Sequence, residues 1–205
     1  THYKGETLRE ASHEDEAVAA FFEVANTEPD SFAAYLALQE LVALPDLATG
    51  EIGAAGTLTD TTAARVLTDL TRGKIHYNAQ EYNLAREYLN YYIDAEPERG
   101  EAEAHYYLGM TLAKQGDYED ALAHYDVAID NAGDQELLGN AWLAKAWTIS
   151  ASGSDASGFY HEFYVNHPDH PRAAEALWEA AIASEKAGSW SLASELSIRW
   201  RCNDD

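Results

Sequence analysis

The sequence predicts an all-α fold, a right-handed α-solenoid of antiparallel helix pairs with no sheet. Three observations predict it. A sparse pattern of small, aromatic and turn residues recurs four times at a spacing of about 34 residues. Each unit carries two stretches of apolar residues at helical period. Gly, Asp and Pro fall where the two stretches meet and where units end. A unit of this length cannot bury its apolar face alone, so it stacks on its neighbours, and such stacks generally bind other proteins.

Taken in order, the elements begin with Ser12, which with Asp15 forms a helix-capping pattern. Ala17, Phe21, Val24 and Pro29 then sit at the spacing of the second half of a repeat. Ser31–Leu44 reads as a first helix, with Phe32, Tyr35, Leu36, Leu38, Leu41 and Val42 as its apolar residues and Pro45 as its end. The stretch 45–59, with Gly50, Gly53 and Gly56 and few bulky residues, reads as a loop inserted into the array.

Four units follow, starting at Val66, Ala102, Leu137 and Ala174. Their eighth positions are Gly73, Gly109, Ala144 and Ala181, and their twentieth are Ala85, Ala121, Ala156 and Ala193. Small residues there let two antiparallel helices approach closely. Position twenty-four holds Leu89, Tyr125, Tyr160 and Ser197, and an aromatic or Leu there fills the space between pairs. Positions four, seven and eleven follow the period of a buried face. Gly116-Asp117 reads as a left-handed helix stop followed by the cap of the next helix. Pro97 and Pro168 stop second helices.

This pattern resembles the tetratricopeptide repeat family, most closely over Ala102–Ile129, and the resemblance covers roughly residues 60–205. It implies one array over 1–205, with N-terminal helices at 12–44 and repeats at 60–99, 102–135, 137–170 and 174–205. The register begins mid-repeat at Thr1, as in a piece of a longer chain. The resemblance also implies a non-catalytic interaction module that holds a peptide or partner protein in a concave groove lined by first helices. The HPDHPRAAEALW segment, His167–Trp178, is similar to repeats of cell-envelope proteins, including helical regions of soluble lytic transglycosylases. That similarity implies an alternative, an accessory domain of an envelope enzyme, and favours a bacterial envelope or periplasmic location. The chain has no Glu-Ser pair of the kind those enzymes use. A structural spacer is the third reading.

Composition narrows the partners. A formal net charge of −23 argues against nucleic acid and against an anionic membrane surface. No apolar run approaches the ~18 residues of a membrane span. Cys202 is the only cysteine, so there is no disulfide framework and no multi-cysteine zinc site.

No catalytic constellation or cofactor motif is found. His161-Glu162 lacks the second His of a metalloprotease helix, because position 165 is Val165. His161, His167, Asp169 and His170 match no zinc spacing and read as the turn between two repeats. Gly50, Gly53 and Gly56 follow no strand and make no dinucleotide fingerprint.

The resemblance places first-helix positions two, five, nine, twelve and thirteen on the groove. The residues there are Lys74, Tyr77 and Asn78, then Tyr106, Met110 and Lys114, then Lys145, then Trp178, Ile182 and Lys186. The binding set is drawn from these: Lys74, Tyr77, Asn78, Tyr106, Met110, Lys145 and Trp178. Four of the five lysines fall at position nine or thirteen. In so acidic a chain they predict a positive stripe suited to an acidic peptide. The helix dipole alone accounts for cations in a last turn such as Lys114 and Lys186. Trp190 and Trp200, in a truncated last repeat, predict uncovered apolar surface there, at an end that either self-associates or continues into further chain.

Overall fold

The computed structural model describes residues 4–7, 14–42, 68–95 and 100–202, without the side chains of residues 14, 15, 42, 201 and 202. The 45–59 loop, the Ser12 cap and Pro97 lie outside them. Among the described residues there are helices and turns and no strand. The chain forms two compact units, Thr1–Gly100 and Glu101–Asp205.

In the first unit, α1 (Glu14–Thr27) packs on α2 (Phe32–Val42), and α3 (Asp69–Asn78) on α4 (Tyr82–Asp94). Ala17, Phe21, Val24, Leu38 and Leu41 are buried together with Ile75 of α3. Phe32, expected in this apolar face, is instead exposed and stacks on Tyr35 at 6.1 Å, because it opens the helix before the first turn meets its partner. Glu81, between α3 and α4, accepts from His76 Nδ1 at 2.7 Å and from Tyr35 Oη at 3.0 Å. It thereby ties α2 to the α3–α4 turn.

In the second unit, α5 (Glu101–Gln115) pairs with α6 (Tyr118–Asp130) and α9 (Ala173–Lys186) with α10 (Trp190–Cys202), while α7 (Gln135–Ala151) packs chiefly on α6 and α8 (Ser157–Asn166) chiefly on α9, with a smaller contact between α7 and α8. Position eight does what its size predicts. A Cβ on Gly109 would lie 2.8 Å from the Tyr125 ring, and one on Gly73 of the first unit 2.6 Å from Leu89. The small residue of one helix is thus the socket for position twenty-four of its partner.

Four helix-to-helix turns, those of α3–α4, α5–α6, α7–α8 and α9–α10, share one hydrogen-bond pattern. Glu81, Asp117, Ser154 and Ser189 each donate their backbone N–H to the carbonyl five residues back, at 2.8–3.1 Å. The residue before each has positive φ: Gln80 at 63°, Gly116 at 90°, Gly153 at 87° and Gly188 at 76°. This is a Schellman stop, which satisfies carbonyls that a helix end leaves without partners. Gly116 therefore ends α5 as expected. Asp117 stands at the N-cap of α6 without accepting a capping hydrogen bond, since its φ and ψ of −81° and 63° are set by the preceding turn.

The third pair departs from the regular register. Its left-handed residue, Gly153, comes two positions later than Gly116 does in its unit, and α7 is 17 residues long. Asp155 Oδ1 accepts from the Ser157 N–H at 2.8 Å to start α8. The buried residues of α7 are Gly139, Ala141, Leu143, Ala146 and Thr148. Trp147, at position eleven, was expected on the buried face; Thr148 takes that place and Trp147 is 50% exposed. A shift of one residue turns a helix face by about 100°.

Candidate functional site

The first helices of the second unit, α5, α7 and α9, are joined by side chains rather than by close backbone packing. Toward their C-terminal ends the Lys114 ammonium lies 5.2 Å from the centre of the Trp147 ring, linking α5 to α7. Toward their N-terminal ends Arg172 precedes α9 and gives a forked pair of hydrogen bonds to Glu175, at 2.8 and 2.9 Å. Its third nitrogen donates to Asn140 Oδ1 on α7. The Arg172 hydrogen bonds hold the Glu175 carboxyl below the usual glutamate range, and Glu175 in turn pushes the guanidinium up. Tyr106 of α5 lies within the field of the same guanidinium. The Lys114–Trp147 contact thus links α5 to α7, and Arg172 links the start of α9 to α7.

The expected binding residues divide on this framework. In the second unit Tyr106 and Met110 are half-buried on α5, with the Tyr106 ring edge-on to Tyr107 at 5.3 Å. Trp178 is 42% exposed on α9 and packs against Trp200 at 5.0 Å. Lys145 goes elsewhere. Its ammonium pairs with Asp126 of α6 and lies 4.7 Å from the Phe159 ring centre of α8, and its side chain is 13% exposed. Both partners stand on second helices, α6 and α8.

In the first unit Lys74 and Tyr77 are half-buried on α3, and Tyr77 meets the Tyr82 ring at 6.0 Å. The Asn78 amide donates to Asp30 Oδ1 and to the Lys74 carbonyl, both at 3.0 Å. Asn78 thus fastens the turn after α1 to the end of α3.

Trp147 and Arg172 were not among the residues the sequence singled out. Trp147 was hidden by its position-eleven register. Arg172 had a readable signal, the Arg172/Glu175 spacing that puts both on one helix face.

The histidine cluster after α8 is structural. His170 is buried, accepts the Arg172 N–H at Nδ1 (3.0 Å) and so donates from Nε2 to the Gln135 carbonyl (2.6 Å). His167 packs against the rings of Phe163 and Trp142. Among the described residues no group of three or more His, Cys, Asp or Glu could hold a metal ion, and no helix is long and apolar enough to cross a membrane.

A family model described as tetratricopeptide repeat matches residues 70–136, the span of α3 to α6. No curated protein and no solved structure matches the chain. A helical-repeat architecture of this kind is generally associated with scaffolding of protein–protein contacts.

Proposed function

We propose that this chain is a protein-binding module that holds an acidic peptide segment on the first-helix face of α5, α7 and α9. The observation that carries the reading is the Lys114–Trp147 pair. It sets a half-exposed indole and an exposed ammonium between two first helices. Exposed Trp paired with a cation is the residue chemistry that dominates binding surfaces.

The distribution of charge supports the peptide's sign. The second helices α6 and α8 carry Glu119, Asp120, Asp126, Asp130 and Glu162 and no Lys or Arg. Lys114 and Lys186 stand on first helices among Glu101, Glu103, Glu136, Glu179 and Glu185, and Arg172 beside α9 is already paired with Glu175. The counter-charge for an acidic segment is therefore local, the exposed Lys114 ammonium beside the Trp147 ring. Tyr106, Met110, Trp178 and Ile182 supply apolar contact on the same face. The test is fluorescence polarisation with labelled acidic peptides and basic controls of matched length. Binding to the acidic set that weakens with salt, and at least tenfold in Lys114→Glu and Trp147→Ala, supports the reading. Equal binding of both sets, or no effect of either substitution, removes it.

A second reading concerns self-association. Trp190 is 67% exposed on α10, which also carries the exposed Leu192 and Ile198. Contact between copies through α10 would cover these residues. Sedimentation across a concentration series tests it, with Trp190→Ser expected to shift the chain toward monomer and a concentration-independent monomer ruling it out.

A further inference from the structure

His105 of α5 and His124 of α6 face each other with their Nδ1 atoms 2.8 Å apart. Their rings are 5.0 Å apart and tilted by 32°. At that separation one Nδ1 must donate and the other must accept with its lone pair. The contact therefore exists with the pair neutral or singly protonated, and two protons would point two N–H groups at each other.

From this we infer that the α5–α6 hairpin carries an acid-sensitive latch, a histidine pair that holds at most one proton while the hairpin is closed. His105 has little freedom to swing away, and His124 is half-buried against it. His105 is buried, and one turn further along α5 Gly109 is closed on by Tyr125 and by the Ala121 carbonyl. Charges around the pair do not remove the conflict. On α5, Glu101 lies one turn before His105 and favours a proton there. Burial outweighs it and holds His105 below the usual histidine value. On α6, Asp120 lies one turn before His124. From α7 the Lys145 ammonium reaches α6, where Asp126 neutralises it. A second proton breaks the shared hydrogen bond.

The unfolded chain takes two protons at these positions, against one in the closed hairpin. The sign follows: the unfolded state binds more protons below about pH 6.5, so stability falls as the pH falls through that value. The unfolding constant rises by up to about tenfold per pH unit for the one excluded proton.

Urea denaturation of the full chain between pH 7.5 and 5.0 tests this, wild type against His124→Asn, which keeps a neutral hydrogen-bonding group and takes no proton. The wild type is expected to show the extra slope and the variant to lose it; equal slopes overturn the latch. Should His124→Asn not fold, histidine-ring ¹⁵N spectra of the wild type decide. One ring protonated at Nδ1 and the other at Nε2 at neutral pH, with the second proton taken up only as α5 and α6 amides lose protection, supports it. Two rings fully protonated in a hairpin whose amides stay protected overturns it.

Discussion

Gly109 and Tyr125 fit as socket and plug. A Cβ on residue 109 would lie 2.8 Å from the Tyr125 ring, which is 1% exposed, and 3.1 Å from the Ala121 carbonyl of the same facing helix. Gly109→Ala gains about 1 kcal/mol of helix propensity. It then forces apart a buried ring and a backbone carbonyl, which costs about 1–3 kcal/mol. The clash exceeds the gain, because neither neighbour has room to give. The expected result is a net loss of about 1 kcal/mol in urea denaturation.

Gln80 offers the opposite sign. It holds φ of 63° at the turn position where the three sibling turns use Gly. Left-handed backbone costs a residue with a Cβ about 1–2 kcal/mol, and the added freedom of an unfolded Gly offsets part of that. Gln80→Gly is expected to stabilise the first unit by about 0.5–1 kcal/mol, read as a shift in denaturation midpoint at unchanged slope.

The helix pairs were legible in the sequence because their physics is local and paired. A small residue at position eight and a large one at twenty-four must meet, and Gly73 with Leu89 and Gly109 with Tyr125 do. The Gly-based stops were equally legible. Gln80 was not, since a non-glycine at positive φ carries no compositional mark. The site was less legible. Trp147 counts as position eleven yet is exposed, Thr148 is buried instead, and the Gly153 turn comes two positions late, which a fixed repeat count cannot sense.

The Lys145–Asp126 pair gives a test of what Lys145 does. Removing the acid leaves a largely buried ammonium without its counter-ion, whereas removing both charges leaves none. Asp126→Ala is expected to cost about 1–3 kcal/mol, and Lys145→Met with Asp126→Ala together less than Asp126→Ala alone. In peptide-binding assays Lys145→Met should leave affinity within about twofold, while Lys114→Glu does not. A Lys145→Met variant that folds normally and loses binding would return Lys145 to the binding set.

Arg172 and Glu175 contribute in a different pH window from the histidine pair. The folded Glu175 carboxyl sits below its unfolded value because Arg172 donates to it. The stability it adds is therefore present above about pH 4.5 and lost as the pH falls through the folded value. Since the pair is partly exposed, the effect is under about 1 kcal/mol. Glu175→Gln should be less stable than the wild type at pH 7 and converge with it in acid.

Binding on the first-helix face is read most directly from the five tryptophan indole N–H signals in a ¹⁵N spectrum during titration with an acidic peptide. The account predicts that Trp147 and Trp178 shift together and saturate, with Trp142 and Trp190 unmoved. Movement of Trp190 alone, or no movement at peptide concentrations that saturate polarisation, would contradict it.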